Sequence, residues 1–262
     1  MIQTLSRGVA DENMPESILV DLAAAIHRHP WWTARTRLAL GLLDRLEIHP
    51  PARVLDAGCG WGTTLEGLEK AGYQTAGMDI SRSMLDRLDQ PGRMLFEADL
   101  NRGIPAETIG LFDAVLALDV IEHVDDDRAV VTHLAQLVRP GGHLMLSVPA
   151  LPELFSEFDA IQGHRRRYLP DTLRAVFEGS DLQVDRVFWW GQWLVPLLQR
   201  QRRRSKSKPG ESASQTYQRY LALPPWPAPL LMRLGFAREH QSALIGNLKI
   251  GTSLFAIARR PH

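Results

Sequence analysis

Short apolar runs alternate with segments of helical periodicity over residues 53–149, and this rhythm restricts the fold more than any other feature of the chain. The apolar runs are RVLDAG, YQTAGMDI, MLFEADL, FDAVLALDV and HLMLSVPA, the last after a PGG turn, and helical segments such as TTLEGLEKAG and DDDRAVVTHLAQLV lie between them. Strands that alternate with helices of about 10–15 residues are typical of βαβ units. The pattern therefore predicts an α/β fold with a mostly parallel sheet that carries helices on both faces.

Two parts of the chain fall outside this alternation. Residues 15–46 show helical periodicity, with Pro30 as a break between two segments. Two later predicted strands, LQVDRVFWW and KIGTSLFAIARR, are separated by about 55 residues, and a connection of that length is normally functional or disordered. We therefore divide the chain into an N-terminal helical segment on the substrate side (1–48), a core (49–190), a cap insertion (191–246) and a final core strand (247–262).

The turn after the first predicted strand carries three alternate glycines in the sequence VLDAGCGWG (residues 54–62). Glycine at such a turn lets the backbone approach a ligand closely and adopt a positive φ without a Cβ clash. Asp79 ends the second predicted strand, where a carboxylate can accept hydrogen bonds from both hydroxyls of a ribose. Because a glycine-rich turn alone also occurs for structural reasons, the combination with Asp79 is what predicts an adenosine ligand.

The glycine spacing and a neighbouring acid discriminate between adenosine cofactors. A dinucleotide site favours G-x-G-x-x-G, with the pyrophosphate on the helix N-terminus, whereas this chain has G-x-G-x-G. Asp56, two residues before Gly58, would repel a pyrophosphate and suits a cationic ligand. These two features disfavour a nicotinamide cofactor.

Five motifs, in order over about residues 50–150, resemble those of the class I S-adenosylmethionine-dependent methyltransferases, in the ubiquinone-biosynthesis-like group (methyltransferase types 11 and 23). VLDAGCGWG resembles their first motif, GMDIS the second and EADL the third, while DAVLALDVIEHV and LVRPGGHLMLSVP resemble the fourth- and fifth-strand signatures. The resemblance implies a Rossmann-like, doubly wound sheet of seven strands, mostly parallel with an antiparallel last strand. It also implies S-adenosyl-L-methionine as cofactor and S-adenosyl-L-homocysteine as product.

The same resemblance assigns the cofactor contacts residue by residue. The glycines and Asp56 would hold the methionine end, Asp79 would bind the ribose, and Asp99 would help to frame the adenine. Asp99 has a second interpretation as the cap of the following turn, and Trp61 replaces a residue that is more usually small. The full set of implied cofactor residues is Asp56, Gly58, Gly60, Gly62, Asp79, Ile80, Asp99, Leu100 and Asp119.

The acceptor side offers fewer candidates. Methyl transfer from a sulfonium is an in-line displacement that disperses charge, so alignment in a water-poor site supplies much of the rate. A base is needed only for an acceptor that is protonated at neutral pH, such as an alcohol or phenol. The catalytic candidates are His123, His164 and Tyr168. His123 has a second interpretation as a helix-start residue packed under the cofactor, and His164 as part of a solvated charged loop.

Two short segments carry a second, looser resemblance. HRRRY (residues 164–168), and HPWW (residues 29–32) with Arg35, resemble a bacterial methyltransferase subgroup that acts on ubiquinone-type, lipid-linked or polysaccharide-pathway intermediates. His164 would then be a base or a substrate ligand, with an arginine that clamps a carboxylate or phosphate. No metal site is predicted, because the nine histidines are scattered and the chain has neither CxxC nor HExxH.

The formal net charge of zero is a cancellation between an acidic and a basic part. Residues 1–159 carry 13 Lys and Arg against 24 Asp and Glu, residues 160–210 carry 11 against 4, and residues 211–262 carry 6 against 2. The positive balance of the C-terminal part favours an anionic acceptor or an anionic surface.

Tryptophan and leucine over residues 187–198 lead directly into six basic residues within 200–208. Three interpretations follow: a cap with inward aromatic side chains, peripheral contact with an anionic membrane through 187–208, and contact with RNA. Nucleic acid is disfavoured, since no RNA-binding module is visible. The single Cys59, a start without an apolar leader and the lack of about 20 consecutive apolar residues favour a cytoplasmic protein, with the inner face of the membrane as a second location.

We therefore expect an enzyme that moves a methyl group to a small-molecule or lipid-linked acceptor, first of all to an oxygen, because a histidine base makes sense there. Two other classes stay open. One is a nicotinamide-dependent oxidoreductase, and the other is a methyltransferase-like binding protein without turnover.

Overall fold

A single sheet organises the computed structural model, which describes residues 2–8, 22–23, 25–104, 111–204, 210–221 and 226–262, with the backbone alone for 202–204 and 221. The strands in these ranges are β1 (Ile2–Thr4), β2 (Arg53–Ala57), β3 (Gln74–Asp79), β4 (Met94–Glu97), β5 (Phe112–Leu118), β6 (Val138–Pro149), β7 (Gln183–Trp190) and β8 (Ser253–Arg259). Their order is β1-β4-β3-β2-β5-β6-β8-β7. Strand β8 runs antiparallel to both neighbours and the other pairs are parallel.

The predicted fold class is confirmed, but the predicted strand number is wrong by one. The extra strand is β1, whose residues Ile2 to Thr4 pair with Leu95 to Glu97 of β4 at the sheet edge. The Thr4 hydroxyl also donates a hydrogen bond of 2.7 Å to the Glu97 carboxylate. A strand of three residues has no hydrophobic alternation to detect, because its structure comes from the open edge of β4 and not from its own pattern.

The fifth strand of the alternation begins earlier than its sequence suggests. We predicted a turn at PGG, residues 140–142, whereas β6 already begins at Val138. Val138 pairs with Phe112, and the ladder resumes only at His143 opposite Ala114. The residues between these two pairs form an irregularity in which Gly141 has a φ of +78°. The turn residues therefore bend the strand without ending it.

Helices cover both faces of the sheet. The N-terminal layer comes from α1 (Pro30–Arg45), which begins at the predicted break because the His29 imidazole accepts a hydrogen bond from the Trp31 amide. Leu38 and Leu42, four residues apart and so on one face of this helix, are fully buried, and each such burial stabilises the fold by about 1.5–3 kcal/mol. Residues 22–23 and 25–26 are also helical, whereas 15–21 and 24 lie outside the described residues.

The other helices follow in chain order, and side-chain caps begin two of those next to the crevice. Ser81 caps α3 and Asp126 caps α4 through side-chain oxygens that accept main-chain amide hydrogens. These helices are α2 (Thr63–Lys70), α3 (Arg82–Leu88), α4 (Asp127–Leu137), α5 (Glu157–Ile161), α6 (Pro170–Ala175), α7 (Val195–Arg204), α8 (Ala213–Leu221) and α9 (Ala228–Leu244).

The long connection before β8 is structured where it is described. Trp190 is 2% exposed, and its ring stacks on Phe236 of α9. Glu239 of the same helix accepts hydrogen bonds from the amides of Gly191, at 2.8 Å, and Trp193. The end of β7 is thus fastened to α9. Among the helices of the described ranges, none has the length and apolar character needed to cross a membrane.

The topology creates a crevice at one end of the sheet. Strand β2 lies between β3 and β5, so the chain moves outward from β2 to β4 and then returns to the other side. In open α/β sheets, ligands bind outside the carboxyl ends of the strands at such a reversal. The glycine turn after β2, Asp79 at the end of β3 and Asp119 after β5 all lie at this end.

Candidate functional site

The glycine turn is shaped so that one of its three glycines faces open space. Gly58, Gly60 and Gly62 have φ values of +73°, +44° and +75°. A Cβ at Gly58 would collide with Val120 and one at Gly62 with Leu88, whereas a Cβ at Gly60 would meet nothing within 4 Å. The outer glycines are therefore required by packing, and Gly60 leaves its backbone exposed to a ligand.

Asp79 holds this turn in place. Its carboxylate accepts hydrogen bonds from the amides of Gly60, at 2.7 Å, and Ser81, at 2.9 Å. Burial raises the pKa of the Asp79 carboxyl, while these backbone donors oppose the shift. Ile80 follows, and its side chain lies against Gly8, where an added Cβ would collide with it. Since each carboxylate oxygen can accept a second hydrogen bond, Asp79 remains able to receive two hydroxyl donors.

Asp56 is a buried acid with an incomplete set of partners. It is 2% exposed, and its Oδ2 atom has no hydrogen-bond partner within the described chain. Burial raises the pKa of the Asp56 carboxyl to about 7; nearby Arg35 lowers it and Asp79 raises it. An acid of this kind, beside an open glycine, is suited to a cationic group that would enter from the crevice.

Arg35 brings the N-terminal helix into the site. Its guanidinium donates to the Asp119 carboxylate and, at 3.1 Å, to the carbonyl of Leu118. Asp119 has a φ of +60°, which is unusual for a residue with a side chain, and its Oδ1 accepts the Ser147 hydroxyl at 3.0 Å. Sequence reasoning missed this role of Arg35, because 84 residues separate the two partners.

Asp99 caps the turn that follows β4, as its second interpretation predicted. Its Oδ1 accepts hydrogen bonds from the Asn101 amide, at 3.0 Å, and from the Asn101 side chain. Leu100 is buried, and its carbonyl oxygen lies 2.8 Å from the His133 Nδ1 atom. The cap fixes the direction of the segment that would border a ligand lying against β3 and β4.

The predicted acceptor residues His123 and His164 lie against each other. Their rings meet edge to face with centroids 4.7 Å apart. The His164 side chain is 8% exposed, so its interpretation as part of a solvated loop is wrong, although Arg165 in the same segment is exposed. Asp159 accounts for the burial: its Oδ1 lies 3.2 Å from His164 Nδ1, accepts a hydrogen bond of 2.7 Å from Arg167 Nε, and forms an ion pair of 2.6 Å with Arg167 Nη2. Sequence spacing alone could not show that these charges neutralise one another inside the fold.

Glu122 is the residue that sequence reasoning underrated. Its side chain is fully buried, and neither carboxylate oxygen has a hydrogen-bond partner within the described chain. Burial raises the pKa of the Glu122 carboxyl well above its usual range, and nearby Asp119 raises it further. His164 Nε2 lies 3.9 Å from Glu122 Oε1. An acid followed by histidine at a strand end was the only available signal.

Tyr168 and the arginines before it fasten the segment after β5. The Tyr168 hydroxyl donates to Asp127 at 2.8 Å, and the ring is 2% exposed. Arg166 also reaches Asp127 at 3.0 Å, and the Arg165 Nε atom donates to the His123 carbonyl at 2.8 Å. The structure thus brings His123 and His164 together, whereas the Tyr168 hydroxyl is engaged by Asp127.

An aromatic wall connects α1 with the glycine turn. Trp32 lies edge to face with Trp61, at 6.0 Å between ring centroids, and with Trp31, at 5.0 Å. Trp61, which stands where the resembled family has a smaller residue, therefore packs against the N-terminal helix. An apolar boundary of this kind keeps water away from the loop that it borders.

One group in this region could hold a metal ion. Glu122, His123 and His164 each offer a ligand atom, and these atoms lie within 4.8 Å of one another. We predicted no metal site from the sequence, because local histidine and cysteine motifs are absent. The third member of the group comes 41 residues after the second, so no short motif could announce it.

Comparison with known proteins relates this architecture to one family. The family model described as a methyltransferase domain matches residues 31–187. A ubiquinone biosynthesis O-methyltransferase of Xanthomonas oryzae pv. oryzae is 35% identical over 153 residues, which cover 53% of this chain and 63% of that protein. One of Ralstonia nicotianae is 36% identical over 133 residues, which cover 45% and 56%. The chain thus spans less than two thirds of the length of these relatives.

Solved structures share the fold at lower identity. A chain from the complex of the Haloferax volcanii Trm112 methyltransferase activator with a methyltransferase aligns over 97% of this chain and 98% of that one, with a TM-score of 0.59 and 16% identity. Haemonchus contortus phosphoethanolamine N-methyltransferase 2 aligns over 85% and 52%, with a TM-score of 0.52 and 18% identity. Because the family model spans more than half of the sequence, the chain belongs to the methyltransferase-domain family, and its motifs mark it as one of the class I S-adenosylmethionine-dependent methyltransferases.

Proposed function

We propose that this chain transfers a methyl group from S-adenosyl-L-methionine to a hydroxyl oxygen of a small-molecule or lipid-linked acceptor. The observation that carries the proposal is the glycine turn. Gly60 faces open space, and its amide is held by the Asp79 carboxylate. Asp56 lies just before the turn, and its Oδ2 atom has no hydrogen-bond partner within the described chain. Membership of the methyltransferase-domain family supports the same reaction type.

The residues at the strand ends fit this cofactor. Asp56 would face the cationic methionine end, since an unpaired buried carboxylate is stabilised by a positive group. Asp79 would accept the two ribose hydroxyls, and Asp99 with Leu100 would border the adenine. When bound, the cofactor supplies an electrophilic methyl group on a sulfonium. The chain aligns that methyl group and excludes water, and the aromatic wall of Trp31, Trp32 and Trp61 supports the second task.

An oxygen acceptor is supported by two observations. The curated relatives are named as O-methyltransferases, and a buried polar group of His123, His164 and Glu122 follows β5, beside the Asp119 end of the site. As the O–CH3 bond forms and the S–CH3 bond breaks, the acceptor hydroxyl gives up its proton to solvent and S-adenosyl-L-homocysteine is left as the second product. We assign His123 and His164 to the acceptor hydroxyl. Tyr168 acts as a positioning residue, because its hydroxyl is bonded to Asp127.

The relatives' name also directs the choice of acceptors to test. Ubiquinone-type intermediates and other lipid-linked hydroxyl compounds come first, because the relatives take part in ubiquinone biosynthesis. The N-terminal segment (1–48) and the cap insertion (191–246) are proposed to close over the acceptor. Trp31 in α1 contacts Trp190, which directly precedes the insertion and stacks on Phe236 within it, and these contacts support a common covering layer.

Contact with an anionic membrane is proposed through residues 187–208, as the sequence suggested, and through exposed side chains of α9. Of residues 187–208, Trp190 and Val195 are buried, Leu197 and Arg200 are exposed, and the side chains of 202–209 lie outside the described part. In addition, α9 and the residue before its N-cap expose Trp226, Leu230, Leu231 and Leu234, and Arg233 of α9 is also exposed. Exposed apolar side chains beside arginines suit contact with an anionic lipid surface. Flotation with phosphatidylglycerol vesicles should recover the protein at low salt, and flotation equal to that with phosphatidylcholine vesicles would end this proposal.

Two measurements test the proposed reaction. Calorimetry should show one equivalent of S-adenosyl-L-methionine bound and no binding of a nicotinamide dinucleotide, and the opposite result would favour the oxidoreductase class. Mass spectrometry of acceptor panels should then show one added methyl group together with S-adenosyl-L-homocysteine. His164→Ala should abolish turnover on the true acceptor while it leaves cofactor affinity intact. Unchanged turnover in that variant would remove His164 from the site.

A further inference from the structure

The starting point is the Glu122 side chain, which has no counter-charge in hydrogen-bond contact. It is fully buried, and neither carboxylate oxygen has a hydrogen-bond partner within the described chain. The buried arginines nearby are already engaged, since Arg35 pairs with Asp119 and Arg167 pairs with Asp159. Proteins that retain a buried charge pair it with an opposite charge or use it to coordinate a metal ion. The ionised form of Glu122 therefore requires a positive group beside it.

We propose that Glu122, His123 and His164 form a binding site for one first-row divalent metal ion. Their ligand atoms lie within 4.8 Å of one another, and His164 Nε2 is 3.9 Å from Glu122 Oε1. An ion with bonds of about 2.1 Å to nitrogen and oxygen holds its ligands up to about 4.2 Å apart. Small side-chain rotations are enough to bring the three groups into that range.

The surroundings of His164 match those of metal-ligating histidines. Asp159 Oδ1 lies 3.2 Å from His164 Nδ1, which leaves Nε2 as the nitrogen that faces Glu122. Asp159 is itself held by Arg167 and by the main-chain amide of Ser156, at 2.9 Å. Metal-ligating histidines almost always have such a carboxylate on the other ring nitrogen, because it fixes the tautomer and the ring orientation. A direct hydrogen bond between His164 and Glu122 is a poorer explanation, because 3.9 Å exceeds hydrogen-bond range.

The ligand set indicates the class of ion and its task. Two imidazoles and one carboxylate suit Zn²⁺, Fe²⁺ or Mn²⁺ better than Mg²⁺ or Ca²⁺, which prefer oxygen ligands alone. Three protein ligands leave coordination positions open. With the proposed function as its basis, the task is to bind the acceptor hydroxyl oxygen as a Lewis acid. The ion would lower the pKa of that hydroxyl, so that its proton passes to solvent before the oxygen attacks the methyl carbon.

Metal binding can be measured without cofactor or acceptor. The full-length protein is treated with chelator and then dialysed against Zn²⁺, and the bound metal is counted by mass spectrometry. We expect one equivalent in the wild type and an affinity at least about 100-fold lower in Glu122→Gln and His164→Gln. Asp159→Asn should weaken binding by about 10-fold to 100-fold, as loss of a supporting carboxylate does.

The control is His143→Gln, which changes a histidine of β6 that also lies near a carboxylate, 3.8 Å from Asp185. This variant should bind Zn²⁺ like the wild type. If Glu122→Gln fails to fold, Co²⁺ titration of the wild type gives an independent result, since nitrogen ligands produce visible absorption bands that Zn²⁺ then removes. Less than one equivalent in the wild type, equal affinity in Glu122→Gln, or loss in His143→Gln would each overturn the site. Cofactor binding by calorimetry is scored separately, so that failure of the metal site and failure of the proposed function remain distinguishable.

Discussion

Two buried acids lie at or just after the carboxyl ends of the strands on either side of β2, and they differ in what surrounds them. Asp79 at the end of β3 receives main-chain amide hydrogens from Gly60 and Ser81. Glu122, just after β5, receives none at either oxygen within the described chain. Asp79 is thus stabilised before any ligand arrives and offers its remaining lone pairs to neutral donors. Burial favours the neutral form of Glu122, and its ionised form would require a positive group beside it. The same type of side chain therefore predicts opposite kinds of ligand on the two sides of the crevice.

Removal of Asp79, the acid that receives main-chain amides, should have the largest effect on cofactor binding. Asp79→Ala should lower the affinity for S-adenosyl-L-methionine by at least about 100-fold, because two charge-assisted hydrogen bonds, each worth about 1.5–3 kcal/mol, are lost. Calorimetry measures the affinity. Asp113→Asn is the matched control: Asp113 lies at the opposite end of the sheet, in β5, where it accepts the Arg53 amide at 2.7 Å. A similar loss of affinity in both variants would contradict the assignment of Asp79.

Loss of Asp159, the acid that contacts His164, should have the largest effect on the free energy of unfolding. Asp159→Ala leaves the Arg167 guanidinium, whose side chain is 5% exposed, without its partner. Breaking a buried ion pair costs about 3–5 kcal/mol, so the free energy of unfolding in urea should fall by that amount. An effect below 1 kcal/mol, within the range of exposed pairs, would show that water replaces the lost carboxylate.

Asp56 should make stability depend on pH. Because burial raises its pKa to about 7, the folded protein holds a proton there that the unfolded chain releases near its usual pKa of 3.8. The contribution of Asp56 is therefore fully present below pH 4 and is lost as pH rises through 7, by about 4 kcal/mol in total, of which about 3 kcal/mol is lost between pH 5 and pH 8. Urea unfolding at pH 5 and pH 8 should show a smaller difference in Asp56→Asn than in the wild type. Equal differences would mean that Asp56 is ionised throughout.

A third buried acid resembles Asp79 in its partners but lies away from the glycine turn. Glu239 accepts the amides of Gly191 and Trp193 and fastens α9 to the end of β7. Glu239→Gln should cost about 1–2 kcal/mol of unfolding free energy, because the neutral amide keeps only part of these bonds. Cofactor affinity should not change. A loss of affinity would mean that the cap reaches the cofactor.

Neutralisation of Glu122 should change the stability of the fold least among these acids. In metal-free protein, Glu122→Gln should either lower the free energy of unfolding by less than about 1 kcal/mol or raise it. The reason is that no hydrogen bond to the carboxylate is lost. Urea unfolding beside Asp159→Ala makes the comparison direct. A loss of stability as large as that of Asp159→Ala would show that the Glu122 carboxylate has a stabilising partner in the folded protein.

The parts of the fold that follow from local pattern were predictable from sequence. Alternation of apolar runs and helices located β2 to β6, and the glycine spacing with Asp79 located the turn that the structure holds against β3. Strand β1 could not be predicted, because three residues carry no periodicity and depend on the open edge of β4. Pairing across many residues was equally hidden, as in Arg35 with Asp119.

The site illustrates the same limit in chemical terms. His123 and His164 could be named as candidates from their positions after strands, but their burial depends on Asp159 and Arg167, whose charges cancel only in the folded protein. A stretch of several arginines looks solvated when it is counted by composition. The lack of hydrogen-bond partners at Glu122 within the described chain depends on the residues packed around it in the fold, and a sequence pattern does not show which partners a buried group lacks.

The contact between Trp31 and Trp190, with ring centroids 5.4 Å apart, joins segments that lie 159 positions apart in the sequence. Trp32 then continues this contact to Trp61 in the glycine turn. A ligand whose binding changes the order of the turn would therefore be linked to the packing of α1 against β7, and reciprocity requires that this packing change the affinity for that ligand by the same factor. Ligand affinity in this protein is then coupled to contacts between segments far apart in the sequence, and not only to direct contacts with the ligand.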